Sequence, residues 1–198
     1  MKEIVIASKN KGKITEFMKA FAAMNIKVIS LAEFTDVPDA VETGKTFQAN
    51  AVMKAQFYAK YTGLACLADD SGLEVDALGG APGVYSARYA GVHGDDAANN
   101  AKLLAELEKV QVYHANARFR CALAFADTNG ELLICDGCCE GTILPKQQGK
   151  NGFGYDPLFY IENLKKTLAE ITIEEKNKIS HRGAALKVMT EKLAVYIK

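Results

Sequence analysis

A chain of 198 residues, 49% hydrophobic and 24% charged, can bury an ample core and is expected to form a single domain, 1–198. Its 24 basic residues balance 24 acidic ones, so no overall field draws it to nucleic acid or to an anionic membrane, and any anion site must be local. The start, Met1-Lys2-Glu3-Ile4-Val5-Ile6-Ala7, enters a strand pattern without an apolar leader, and no later apolar run approaches spanning length, so the expected compartment is the cytoplasm.

Ile4-Val5-Ile6-Ala7 reads as a buried strand, followed by the loop Ser8-Lys9-Asn10-Lys11-Gly12-Lys13 and a helical pattern through Ile14, Phe17, Met18 and Phe21. Ammonium groups beside the N–H groups of a helix start make a place that suits phosphate. It is no Walker loop, since no glycine stands five residues before Gly12 and Ile14 replaces the Ser or Thr; a solvated lysine cluster is the competing reading. Lys27 to Leu31 is a second strand, and Val37 to Gly44 an exposed loop. A helix is predicted from Phe47 to Tyr61, with Phe47, Ala51, Ala55, Tyr58 and Ala59 on one face and Gly63 as its stop.

Leu64 to Asp69 is a strand that delivers Asp69 and Asp70 to Ser71 and Gly72, where the backbone is expected to leave the sheet. Alternation sends successive strand side chains to opposite faces, so one aspartate is expected to act while the other braces. Asp70, beside the turn, is the candidate for chemistry, because open α/β sheets bind ligands beyond the carboxyl ends of their strands. A plain Asx-type turn is the alternative. With Glu42 it supplies carboxylates for a hard divalent ion, and magnesium takes one or two carboxylates together with phosphate oxygens.

Gly79 to Gly94 is a long structured loop, and Ala97 to Leu107 is helical. Ala117 to Asp127 and Glu131 to Glu140 form a hairpin with a turn at Asn129-Gly130. Lys146 to Gly154 is another glycine-containing loop, and Tyr155 to Tyr160 leads into a strand. Thr172 with Glu175 is a capping box, and Leu186, Met189, Leu193 and Ile197 form the core stripe of a last helix. Helices interleaved early and a hairpin late imply an α/β fold with a mixed sheet. Of the five cysteines, Cys135 and Cys138 have C-x-x-C spacing, but no second ligand pair accompanies them, and reduced, buried or half-buried thiols are the expectation.

Several long motifs in order make the chain resemble the inosine triphosphate pyrophosphatase family, the non-canonical purine nucleoside triphosphate pyrophosphatases, over nearly its whole length. They are Ser8 to Lys13, Glu42-Thr43-Gly44 with Phe47 and Asn50-Ala51, the run from Leu67 through Gly91, Gly152-Phe153-Gly154-Tyr155-Asp156-Pro157, and Glu175-Lys176-Asn177 with Ser180-His181-Arg182. The resemblance implies Mg²⁺-dependent hydrolysis of triphosphates such as ITP, dITP and XTP to the monophosphate and pyrophosphate. It also implies a homodimer and an elongated mixed β-sheet flanked by helices in two lobes, with an active-site cleft between them.

Carried over by residue, the resemblance gives the triphosphate to Ser8, Lys9, Asn10, Lys11, Gly12 and Lys13, with Lys54 as a further phosphate ligand. Glu42 and Asp70 hold the metal, and Asp70 is the base toward water. Ser71 contacts substrate, and Phe153, Gly154, Tyr155 and Asp156 form the nucleoside pocket. Lys176, His181 and Arg182 complete phosphate and base recognition. A 6-oxo purine offers an acceptor where adenine offers an amine, so a fixed donor on Arg182 or His181 would separate the two, with Phe153 or Tyr155 stacked on the ring.

Two departures stand out against the family pattern: Gln147-Gln148 replace a frequent Pro-Arg, and Gln48-Ala49 lack a frequent acid before the asparagine. Neither touches Asp70. A non-hydrolysing nucleotide-binding regulator is the rival reading, and a nucleotidyltransferase a weaker one, since no acceptor-binding segment is evident.

Overall fold

The computed structural model describes residues 2–22, 24 and 26–197, the side chains of Lys2 and Ile197 excepted. Its strands are β1 (Lys2–Ile6), β2 (Ile26–Ser30), β3 (Ala65–Val75), β4 (Ala115–Ala126), β5 (Leu132–Ile143), β6 (Phe159–Ile161) and β7 (Lys166–Thr167). They form one seven-stranded sheet in the order β2-β1-β3-β4-β5-β6-β7. Strand β1 runs parallel to β2 and β3, whereas β6 is antiparallel to β5 and β7, so the sheet is mixed, as the order of elements predicts. The chain gathers into two compact units, Met1–Asp70 with Cys121–Gly137 and Arg182–Lys198, and Ser71–Arg120 with Cys138–His181.

In the first unit, strand alternation sorts side chains by size. Ile4, Ile6, Leu67, Leu123 and Phe125 pack against Phe17 and Phe21 of α1 (Lys11–Phe21) and Leu186, Met189 and Leu193 of α5 (His181–Ile197). Val5, Ala7, Cys66, Ala68, Ala122 and Ala124 pack against Ala51, Ala55, Tyr58 and Ala59 of α2 (Phe47–Thr62). The small residues on both partners of that second layer let a helix approach the sheet closely, with full burial at Ala51 and Ala55. Gly63 ends α2 at φ +68°, its N–H donating to the Ala59 carbonyl at 3.0 Å, a left-handed cap that glycine adopts without a Cβ penalty. Of the predicted α5 stripe, Ile197 lies outside the described side chains.

The second unit has its own core of Leu73, Val75, Leu103, Leu107, Phe119, Tyr155, Leu158 and Phe159. Its helices are α3 (Asp96–Lys109), whose cap Asp95 accepts from the Ala98 N–H, and α4 (Ile173–Ile179). The predicted box closes α4 from both sides: the Glu175 N–H donates to Thr172 Oγ1 at 3.2 Å and the Thr172 N–H to Glu175 Oε2 at 2.8 Å. A second box, Thr167 with Glu170, follows the short strand β7, and neither of these was expected.

Three expectations need correction. The backbone does not leave the sheet at Ser71-Gly72: β3 lies between β1 and β4 and continues to Val75, so the pairing of a central strand overrides residue types that favour turns. The buried face of α1 is turned by about one residue, burying Glu16 with Phe17 and leaving Met18 55% exposed, because Glu16 has a buried partner that an apolar count cannot register. The hairpin connection is one residue longer at each end than the expected Thr128-Asn129-Gly130, since β4 ends at Ala126 and β5 begins at Leu132: the Asp127 carboxylate accepts from the N–H groups of Asn129 and Glu131, and of Asn129 and Gly130 only the glycine has positive φ.

No helix among the described residues is long and apolar enough to cross a membrane. All five cysteines are free. Cys135 and Cys138 are three apart on β5 and so point to opposite faces, which removes the paired-ligand reading of their spacing. Burial pushes the Cys66 thiol up to about 12 and those of Cys135 and Cys139 up to about 11, so they stay protonated.

Candidate active site

The neighbouring aspartates of β3 face different partners, as alternation requires. Asp69 is 3% exposed, and its Oδ2 accepts from Arg182 Nε at 2.7 Å and from the Cys121 thiol at 3.3 Å. Its Oδ1 accepts from Lys13 Nζ. A second branch runs from Arg182 NH1 to Glu16 Oε2 at 2.7 Å. Burial would raise the Asp69 carboxyl, but the Arg182 and Lys13 charges hold it well below the usual carboxylate range, so Asp69 is a fixed anion.

Asp70 meets α2 instead. Its Oδ2 accepts from Asn50 Nδ2 at 3.1 Å and its Oδ1 from Lys54 Nζ at 3.0 Å, while the same ammonium donates to Glu42 Oε1 at 2.7 Å. Asn50 and Lys54 stand one helical turn apart on α2 and so present both donors to one carboxylate. Asn50 also fixes the loop that carries Glu42, because its Oδ1 accepts from the Gly44 N–H at 2.8 Å. A Cβ at Gly44 would lie 2.5 Å from that oxygen. Burial raises Asp70 above the ordinary carboxylate value in spite of Lys54. For Lys54, burial opposes the charge, and Asp70 and Glu42 together restore it and raise its value. Two adjacent carboxyls thus have environments that push them in opposite directions, the usual mark of divided roles.

The basic loop divides in a way its spacing does not reveal. Asn10 caps α1, accepting from the Lys13 N–H at 3.1 Å, and Ser8 Oγ accepts from the Asn10 N–H at 3.1 Å. Lys9 pairs with Asp39 at 2.8 Å in an exposed position, and Lys11 and Gly12 open the helix. Lys13 alone of the three lysines turns to the aspartates, through Asp69.

In the second unit, the Asp156 carboxylate organises the glycine loop. Its Oδ2 accepts from Lys176 Nζ at 2.6 Å and from the Phe153 N–H at 2.9 Å, and the ammonium lies 4.4 Å from the Phe153 ring centroid. Asp156 and Lys176 are 2% and 3% exposed, so this ion pair is part of the interior and holds Phe153 from beneath. Gly154 is tied on both sides, its N–H donating to Asp96 Oδ2 at 2.7 Å and its carbonyl accepting from Asn100 at 2.9 Å. Gly152 has φ +76°, and a Cβ there would lie 2.1 Å from Asp156 Oδ2. Gly152→Ala is therefore expected to lower unfolding free energy by about 1–3 kcal/mol, measured by urea denaturation; an unchanged midpoint would show that the loop has another arrangement.

The structure gives the surroundings of two of the expected recognition residues. Arg182 is 1% exposed and pairs with Asp69 and Glu16 within the first unit. Tyr155 is 4% exposed in the second core, its hydroxyl donating to the Ser86 carbonyl at 2.9 Å. His181 stacks on Phe119 with centroids 4.7 Å apart, and Phe153 is half-buried. Ser71 lies inside β3. Glu16, Asp96 and Asn100 are polar anchors that a reading of residue types did not single out.

The fold and these side chains define an α/β protein whose functional groups are carboxylates and lysines on a mixed sheet and the loops beside it. The chain belongs to the Ham1 family, whose model matches residues 4–192. It is 52% identical over 189 residues to a dITP/XTP pyrophosphatase of Desulforamulus reducens, covering 96% of this chain and 94% of that one. It is 51% identical over 191 residues to a dITP/XTP pyrophosphatase of Geobacillus kaustophilus, covering 96% and 94%. A solved HAM1 protein from Coxiella burnetii matches with a TM-score of 0.89 and 47% identity, over 98% of this chain and 99% of that one. The resemblance read from the motifs therefore extends over nearly the whole chain.

Proposed function

We propose that this chain is a hydrolase that cleaves ITP, dITP and XTP at the α–β anhydride in a Mg²⁺-dependent reaction, giving the monophosphate and pyrophosphate and clearing deaminated purines from the nucleotide pool. The observation that carries this reading is that Glu42 and Asp70, from remote stretches of sequence, converge on one cationic group, the Lys54 ammonium. Relatives about half identical over nearly the full length bear the name dITP/XTP pyrophosphatase, which supplies the substrate class.

The donor set fits magnesium. Two carboxylate oxygens already surround one cation position, and Mg²⁺ is commonly held by one or two carboxylates with the remaining oxygens drawn from water and phosphate. Glu42 and Asp70 would hold it, and when bound it neutralises phosphate charge and lowers the pKa of water. The chain's own groups do the rest. Asp70 takes the proton of the attacking water, a task that suits a carboxyl raised by burial. Lys13, held by fixed Asp69, and Lys54 meet charge on the phosphate oxygens, so most of the catalysis is positioning and electrostatics.

For the base end, the proposal keeps Phe153 as the stacking surface and His181 as the donor, with Lys176 and Asp156 fixing the loop. The test is release of pyrophosphate across a purine panel with the monophosphate identified as product. The expected kcat/KM for inosine triphosphate is much higher than that for adenosine triphosphate, since a site that reads hydrogen bonds can discriminate by roughly 10⁴ or more. Equal values would remove base reading from the proposal, and binding without release would turn the protein into a regulator. A cytoplasmic setting accords with five free cysteines. The homodimer implied by the resemblance is read by sedimentation.

A further inference from the structure

We propose that Lys54 is an internal counterion that occupies the divalent-cation position of the nucleotide-free protein and transfers to the triphosphate when metal enters. The inference rests on the metal reading above and concerns how that same site is regulated.

Lys54 is 9% exposed and donates to both carboxylates of the pair, at 2.7 Å to Glu42 and 3.0 Å to Asp70. Without a cation these like charges would face one another across a poorly solvated site, so the ammonium lets both carboxylates stay ionised side by side. Its neighbours are fixed from other directions. Asn50 holds the second Asp70 oxygen, and the Gly44 N–H on Asn50 fastens the loop behind Glu42. The Asp70 carboxylate and the loop behind Glu42 are thus positioned by bonds independent of Lys54, and a metal ion can replace the ammonium without rebuilding that support. Lysine suits the exchange because its charge sits on a flexible four-carbon stem, whereas a planar guanidinium would hold its carboxylates in one geometry.

Charge sets the direction of the exchange. A divalent ion satisfies two carboxylates that a single ammonium only halves, but it releases a cation into a buried place. The triphosphate is the anion that arrives with the metal and can receive it. Metal alone therefore binds against the lysine, while metal and nucleotide bind with its help, and the two affinities are linked by the same factor in both directions.

The experiment measures Mn²⁺ binding by electron paramagnetic resonance, with and without a non-hydrolysable α,β-imido inosine triphosphate. Lys54→Gln removes the charge but retains a donor for the carboxylates, and Lys54→Met removes both; circular dichroism checks that each is folded. Without nucleotide, Lys54→Gln is expected to bind Mn²⁺ about tenfold or more tightly than the parent, and the nucleotide-dependent gain in Mn²⁺ affinity, about 5- to 150-fold in the parent, is expected to shrink to the part that phosphate oxygens on the metal supply. Unchanged or weaker Mn²⁺ binding by folded Lys54→Gln overturns the exchange. Glu42→Gln separates the two levels. If it weakens Mn²⁺ binding while Lys54→Gln fails to strengthen it, the metal reading stands and the exchange is wrong; if Glu42→Gln changes nothing, the metal reading fails and takes this inference with it.

Discussion

Asp70→Asn is expected to lower kcat for inosine triphosphate by roughly 10²–10⁴-fold while KM moves far less, because the substitution removes a proton acceptor and a metal ligand but preserves shape. The amide fills the volume of the carboxylate and can still accept from Lys54 or Asn50, whose donors lie 3.0 and 3.1 Å from the two oxygens. Folding should survive, since burial already disfavours the Asp70 charge. Asp69→Asn provides the contrast. It weakens the partner of Arg182 and Lys13, so its first effect is on stability and on the placement of Lys13, seen as a shifted unfolding midpoint and a raised KM. Steady-state kinetics of both variants in magnesium separates the roles. A kcat for Asp70→Asn equal to that of the parent would remove Asp70 from the chemistry.

That those aspartates face different partners was legible in the sequence, because it follows from strand alternation alone. The position of Asp70 at a strand end was not, since β3 continues to Val75 and only its place between β1 and β4 explains why Ser71-Gly72 stay in the ladder. Helix boundaries marked by Gly63 and by Thr172 with Glu175 came directly from cap chemistry, in which one residue type answers one backbone need. The face of α1 did not, because Lys13 and Glu16 turn inward to partners from β3 and α5 that are distant in sequence. The same limit governs the site. Motifs identified Lys54, Asp156, Lys176 and Arg182 as notable, but a cationic side chain aimed at phosphate and one paired with a buried carboxylate look identical in sequence. All four are nine-tenths or more buried and paired within their own unit.

Arg182→Met is expected to be the most destabilising single change in the first unit, lowering unfolding free energy by about 3–5 kcal/mol because it strands buried carboxylates. Asp69 is 3% exposed and Glu16 1%, and the guanidinium lies 2.7 Å from an oxygen of each, so methionine supplies packing but leaves two anions without their shared cation. For a chain of this size that deficit corresponds to a melting temperature lower by about 6–20 °C. Its pH dependence has a definite sign. In the parent, Asp69 is held below its unfolded value, so its stabilisation is complete above the ordinary carboxylate pKa and is lost only as pH falls through the depressed folded value. In the variant, burial without the guanidinium raises the Asp69 carboxyl, and the folded state gains its proton sooner on acidification, so the deficit narrows as pH falls from 7 to about 5. Glu16→Gln placed in the Arg182→Met background should recover about 1 kcal/mol or more, since an amide needs no counter-charge. Urea unfolding of the four proteins of that cycle at both pH values is the measurement. A single-variant deficit under about 1 kcal/mol, or one that widens in acid, would mean that the carboxylates find other cations and that Arg182 is not what holds Asp69 in place.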